Sequence, residues 1–340
     1  MKNPRSQGRN SVHSILWIAA LLLMFTLHAR AAYGAGYTPA DKEAYTRAMI
    51  NARDVAQKDV FNRLLAIVPG RDKVNSARLH GCEIQWEGHP GLSRVLVVAF
   101  MSRKSYEDFY KQNLEQHQEE YILTKSLWVT VVPEMKNYFI GRKCPPSKKR
   151  IAQLLGLNPA FDYDVLVEMW VHPEDLFRPS PDPEVTDHES EIACRIRRNH
   201  WIFPSDLNPF LRLASSAKFV DHKGAQAVTF RKWFTDRAET IYGMEGDDLA
   251  KWGMPWTRLG YSYDWGRLKD PVGLSEFVLR IDPDQNGGEL RIKLHRAIDS
   301  AASDWDEYFA CSKYCFDDSD PLESPGVEWV PDNPGPEMSN

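Results

Sequence analysis

The sequence predicts an α/β or α+β fold, with a small, mostly parallel sheet and its helices in the N-terminal half, and a helix plus a β-hairpin in the C-terminal half. Three observations predict it. Apolar runs of strand length recur at residues 94–101 (RVLVVAFM), 127–132 and 164–171. Windows with helical apolar spacing lie between them, and continuous apolar strands separated by amphipathic helices favour a layer covered on both faces. Beyond residue 226 the pattern changes to one strong helix, then two strand-like runs around Asn286-Gly287-Gly288, a hairpin signal.

Taken in order, Thr38-Pro39-Ala40-Asp41 supplies a capping residue, Pro at the first helical position and an acid at the third. Apolar residues follow at Ala44, Ala48, Val55, Val60, Phe61, Leu64 and Leu65 until Pro69-Gly70, which predicts one long helix or two joined near Asp54. After the strand at 94–101, Ser105 with Asp108 three residues later opens a helix over 105–116. A strand at 127–132, a short helix at 148–157 ended by Gly156, and a strand at 164–171 complete the half. Two strands end alike, in Pro133-Glu134 and in Pro173-Glu174, and Pro and Glu suit the first turn of a following helix. Residues 177–207 are rich in Pro and acid, then basic at Arg195, Arg197 and Arg198, and read as a long ordered loop or a boundary. A helix over 226–242 carries Phe230, Trp233 and Phe234, and residues 274–281 and 289–294 form the expected hairpin. The last 25 residues hold five Pro, seven acids and no Lys or Arg, which predicts a disordered tail at 316–340.

The first residues carry an address. Lys2, Arg5 and Arg9 precede the apolar run from Ile15 to Leu27, and Ala29-Arg30-Ala31 follows, the pattern of a secretory signal cleaved after Ala31. That run of 13 residues is short of the roughly 20 that span a bilayer, which favours cleavage over an uncleaved anchor. The expected organisation is a signal peptide at 1–31, an α/β region at 32–176, and a region of helix, aromatic loop and hairpin at 177–315 that either continues the same domain or forms its own. Cleavage removes four basic residues and no acid, leaving 38 basic against 47 acidic residues, a net charge of −9. Such a balance argues against nucleic acid or anionic lipid as a partner over a broad surface. No second hydrophobic run approaches spanning length, so the expected product has no integral membrane segment after cleavage and resides in the periplasm, or is secreted, from a Gram-negative bacterium. Cys82, Cys144, Cys194, Cys311 and Cys315 make an odd count, and at least one disulfide is expected in an oxidising compartment.

The sequence lacks H-E-x-x-H, G-x-S-x-G, the P-loop and the dinucleotide-binding glycine pattern, so neither a cofactor nor a metal centre is expected. Its densest unusual feature is residues 252–266, which pack Trp256, Tyr261, Tyr263 and Trp265 around Arg258 and Asp264. Flat aromatic faces can stack on apolar ligands or sugar rings while Arg258 directs hydrogen bonds, so these residues are the candidate ligand-binding set, for an unknown small molecule or an envelope protein. The competing reading is a core-crossing segment whose rings fill space. Asp264 and Glu276 are the candidate catalytic residues of the alternative function, a secreted hydrolase working with a carboxylate pair, and their separation in space decides it. The run Asp182, Glu184, Asp187, His188, Glu189 and Glu191 offers hard oxygen ligands of the kind that hold Ca²⁺, but a solvated charged loop, with Arg178 pairing to its acids, accounts for it more simply. A structural role in the envelope with no small ligand is the third possibility.

Several long phrases carry a resemblance: Leu127-Trp-Val-Thr130 with Pro133-Glu134, Leu154-Leu-Gly-Leu157, residues 175–184 (DLFRPSPDPE), 255–265 (PWTRLGYSYDW) and 272–277 (VGLSEF). Over residues 40–282 the chain resembles a family of uncharacterised exported proteobacterial proteins. The resemblance implies export and a single domain, with no activity and no catalytic residues to carry over. The stretch from Cys194 to His222 and the acidic tail lie outside it. Arg258 with Gly260, then Ser275-Glu276 before a strand, is similar to a pattern in NAD-cleaving toxin domains, whose Gly-rich and His elements are missing here.

Overall fold

The structure, a computed structural model, describes residues 37–118, 120–140, 142, 145–192, 194–197, 200–202, 218–220, 226–284 and 288–310, without the side chains of 194–197, 200–202 and 220. The expected signal peptide, the acidic tail, the Asn286-Gly287 turn and four of the five cysteine side chains lie outside the described residues.

Thr38 caps helix α1 (Pro39–Arg53) in a reciprocal box: its hydroxyl accepts from the Asp41 N–H, and the Asp41 carboxylate accepts from the Thr38 N–H at 2.8 Å. The helix stops at Arg53 and only a 3₁₀ turn at Gln57–Asp59 follows, so neither one long helix nor a second helix joined near Asp54 runs on to Leu65. The chain beyond is drawn into the core as extended backbone. The Leu64 and Ile67 N–H groups donate to the carbonyls of His188 and Val185, and the Leu65 N–H donates to Ser275 Oγ at 2.7 Å. Tertiary partners thus replace the helical ones.

A short helix α2 (Lys73–Arg78) precedes strand β1 (Val95–Met101), whose side chains are all buried. Helices α3 (Arg103–Phe109) and α4 (Lys111–Glu115) follow, then strands β2 (Glu120–Leu123) and β3 (Leu127–Val131), helices α5 (Glu134–Tyr138) and α6 (Lys148–Leu154), and strands β4 (Val165–Val171) and β5 (Leu176–Phe177). Both Pro-Glu dipeptides do open helical turns, the second a 3₁₀ turn at Pro173–Asp175. Small two-stranded sheets involve β6 (Cys194–Arg197) with β7 (His200–Ile202), and β8 (Lys218–Val220) with β9 (Ala227–Thr229). Helix α7 (Phe230–Thr240) leads to β10 (Tyr261–Tyr263), β11 (Val272–Ser275), β12 (Phe277–Leu279), β13 (Leu290–Asp299) and helix α8 (Ser303–Tyr308).

The main sheet has seven strands in the order β2-β13-β4-β1-β3-β12-β5, and every neighbouring pair is antiparallel. The expected mostly parallel sheet is therefore corrected to a mixed α+β fold with an antiparallel sheet. Doubly buried strands suggested parallel pairing, but here both faces of an antiparallel sheet are covered. Val95, Val97, Ala99 and Met101 pack on one side with Leu65, Ile67 and Leu79, while Leu96, Val98 and Phe100 pack on the other with Met135, Phe139, Ile151 and Trp305. The expected C-terminal hairpin is also absent. β12 pairs with β3 and β5, whereas β13 crosses to pair with β4 and β2, so strands from both sides of residue 177 share one sheet. No helix among the described residues is long and apolar enough to cross a membrane.

One irregularity of this sheet positions the candidate site. β1 pairs with β4 along all seven residues, from Val95–Val171 to Met101–Val165, but it pairs with β3 at only two positions, Val97–Val131 and Val98–Thr130. The other end of β3 is held by β12, through Val129–Phe277, Trp128–Val278 and Leu127–Leu279. β1 and β3 therefore part company beyond Val98 and Thr130.

Candidate functional site

A cavity of about 60 Å³ opens where β1 and β3 separate. Val98, Phe100, Trp128 and Val129 line it from the two strands, Leu155 and Leu157 from the chain after α6, Met254 and Ser262 from the aromatic segment, and Leu274, Ser275 and Glu276 from the β11–β12 junction. A water needs on the order of 10–15 Å³ by this kind of measure, so there is room for roughly four.

The polar groups around the cavity divide sharply. Ser262 Oγ donates to the Leu154 carbonyl at 2.8 Å and accepts from the Leu274 N–H at 3.0 Å. Ser275 Oγ donates to Glu134 at 3.0 Å and accepts from the Leu65 N–H, and the Thr130 hydroxyl reaches Glu134 Oε2 at 3.3 Å. All three hydroxyls are therefore engaged within the fold. Glu276 is not. Its Oε2 is buried with no hydrogen-bond partner among the described residues, and burial pushes its carboxyl up to about 8 against the opposing pull of Arg237. Arg237 itself, on α7, has a buried Nε without a partner, and its guanidinium lies 5.4 Å over the Trp128 ring. No ion pair within 4.0 Å joins Glu276 to Arg237. A buried carboxyl oxygen left unbonded is expensive and calls for an explanation, of which a ligand is one.

Backbone groups add to the seam. Leu96 and Val132 are hydrogen-bonded across the two strands, so by alternation the N–H and C=O of Leu96, Val98 and Phe100 all point toward β3. The next pair in that register is Phe100 with Trp128, and it is not formed. Their main-chain donors and acceptors face the gap.

Among the sequence-predicted residues, the structure brings Glu276 to this cavity and places the rest elsewhere. Trp256, Arg258, Tyr261, Tyr263 and Trp265 are between 1% and 7% exposed, and their polar ends are occupied. Trp256 Nε1 donates to the Pro179 carbonyl and Trp265 Nε1 to the Leu157 carbonyl, each at 3.0 Å. The Tyr261 hydroxyl donates to the Asp59 carbonyl at 2.9 Å, the Tyr263 hydroxyl accepts from Asn51, and Arg258 donates to the Arg53 carbonyl at 2.8 Å. Ring edges meet Tyr45, Phe61, Trp128 and Phe234, so these faces pack internally rather than lie open to a partner. The segment reaches the cavity only through Met254 and Ser262. Its tight course depends on Gly260, at φ +73°, where a Cβ would fall 2.5 Å from Arg178 Cδ.

Asp264 and Glu276 are not brought together. Tyr263 pairs with Val272, and the Glu276 N–H donates to the Gly260 carbonyl at the opposite end of the β10–β11 ladder. Four residues of strand separate them, on the order of 13 Å. Asp264 is fully buried, with Arg150 Nη1 at 2.8 Å on one oxygen, Arg150 Nη2 on the other, and the Tyr138 hydroxyl at 3.2 Å. It has the surroundings of a structural anchor.

In the acidic loop, carboxylate oxygens of Asp182, Glu184 and Asp187 lie within 4.8 Å of one another. Arg178, fully buried, pairs with Asp187 at 3.1 Å as expected and also binds the carbonyls of Leu65, Asp187 and Glu189. Burial pushes Asp187 up to about 6 and Glu191 up to about 7. The guanidinium already supplies the positive charge that this cluster needs.

The chain matches no protein-family model, no curated protein and no solved structure.

Proposed function

We propose that this chain is an exported binding protein whose ligand site is the seam cavity between β1 and β3, with Glu276 as the group that fixes the ligand. One observation carries the reading: every side-chain hydroxyl lining the cavity is engaged within the fold, while the Glu276 carboxyl, beside unpaired strand backbone, is not. The apolar walls and the free Glu276 carboxyl match the usual composition of a small-molecule site, but the volume is well below the ordinary range, so only a small group enters. The ligand, or the part of it that enters, has about four to six heavy atoms. The site departs from the open aromatic surface expected of residues 256–265, while retaining that segment as a wall. Export rests on the signal-like first 31 residues.

The test is a two-dimensional amide NMR titration of the chain from residue 32 onward with small probes: acetamide, urea, acetate, methylammonium and ethanol. Saturable shifts at the Phe100, Trp128 and Glu276 amides, lost in Met254→Trp, support the site. No saturable shift at these amides with any probe rejects it.

A further inference from the structure

The walls of the seam specify what enters it. We infer that the cavity receives an acetamido group, a methyl joined to a secondary amide, with Glu276 donating to its carbonyl and the strand backbone of the seam accepting from its N–H. This rests on the binding reading above and names the ligand class.

Three features point to this chemistry. The first is size: the cavity has room for roughly four waters, and an acetamido group has four heavy atoms before its attachment point. The second is the division of its lining, with Val98, Val129, Leu155, Leu157 and Leu274 offering a dry surface to the methyl. The third is the placement of free polar groups. A trans amide directs its N–H and C=O in opposite directions, so it needs a donor on one side and an acceptor on the other. Glu276, in its acid form a donor, and the unformed Phe100–Trp128 pair, with its backbone acceptors, both belong to the cavity lining. In effect the ligand's amide replaces part of a ladder that β1 and β3 leave incomplete.

Charge excludes the neighbours of this chemistry. A carboxylate ligand would meet an acid, and Arg237, the cation near Glu276, does not line the cavity, while a cationic ligand would have to ionise Glu276 in an apolar site already under the field of Arg237. Arg237 from α7 and the Tyr242 hydroxyl just beyond it are the titratable groups facing Glu276, and Tyr242 is held neutral by burial. A neutral amide fits the acid form of Glu276, which prevails while burial keeps its titration near 8.

The experiment is isothermal titration of the same chain with N-methylacetamide, N-acetylglucosamine and N-acetylalanine methylamide, with glucosamine, acetate and methylammonium as controls. Saturable binding of the acetamides over the controls is expected. N-acetylglucosamine binding tighter than the peptide-like probe assigns the group to a sugar, and the reverse order assigns it to an acylated amine, either outcome supporting the inference. Glu276→Leu should weaken acetamide binding about tenfold. Glu276→Gln, which still carries a donor, should keep binding above about pH 9, where the wild type loses it. Binding of acetate or methylammonium in preference to the acetamides, with amide shifts at Phe100 and Trp128, overturns the inference and leaves the site standing. Absence of binding by all probes overturns both.

Discussion

Phe100 and Trp128 face each other two register positions beyond Val98–Thr130, the last pair that β1 makes with β3. The cause is competition for β3. Its residues 127–129 are held by β12 on the far side, while β1 keeps its full seven-residue ladder with β4. The two strands diverge with their partners, and a cavity with polar backbone edges remains between them. Glu276 stands at the end of β11 where the chain passes into β12, which ties the acid to the strand that pulls the seam apart.

Glu276 makes stability depend on pH in a defined direction. Its carboxyl is raised by burial from the ordinary value of 4.5 to about 8, so the folded state holds a proton that the unfolded state releases between those values. Stability from this group is complete below about pH 4.5 and is lost as pH rises through about 8. Asp187 and Glu191, raised to about 6 and about 7, act in the same sense at lower pH. Urea unfolding at about pH 6 and about pH 9 should show a smaller loss for Glu276→Gln than for the wild type. Equal losses would show that Glu276 is not held as the acid.

The Arg150–Asp264 pair should behave as a structural anchor. Asp264 is fully buried and Arg150 about a quarter exposed, so removing one partner strands the other. Arg150→Met is expected to cost roughly 3 kcal/mol, read by chemical denaturation, with the ligand affinity of the remaining folded protein unchanged. Affinity lost in proportion to stability would place Asp264 in the site after all.

The aromatic segment should report on folding first. Trp265 packs edge-on against Tyr45 at 5.8 Å and donates its indole N–H to the Leu157 carbonyl, joining α1 to the turn after α6. Trp265→Ala should destabilise by roughly 3–5 kcal/mol through the cavity it leaves. A loss under about 1 kcal/mol would return the ring to the surface role that the sequence suggested.

Cys82 is buried in the sheet core, and the proposed export would carry it through an oxidising compartment in which disulfides form and persist. Peptide mapping without reductant, on protein recovered from an oxidising compartment, should find Cys82 linked. A free Cys82 thiol would count against both the disulfide and the export reading.

The strands were legible where local pattern and tertiary role agree. β1, β3 and β4 lie within a residue or two of their apolar runs, and the Thr38 capping box stands where the residues placed it. Pairing direction was not legible, because an apolar run reports burial on both faces and says nothing about which way its neighbour runs. Residues 55–65 kept a helical rhythm yet formed only a 3₁₀ turn at Gln57–Asp59, since the hydrogen bonds of Leu64 and Leu65 go to His188 and Ser275, both distant in sequence. The aromatic density of residues 256–265 could not separate a binding face from a core. Glu276 was singled out by its residue type, but the feature that makes it notable is a gap in a ladder formed by residues 98–100 and 128–130, which no local spacing encodes.

The most direct measurement is the carboxyl ¹³C titration of Glu276, assigned by its loss in Glu276→Gln, with and without N-methylacetamide. The account predicts a midpoint near 8 that rises further with the amide, because the ligand accepts from the protonated form. A midpoint in the ordinary carboxylate range that ignores the amide would contradict both the site and its chemistry.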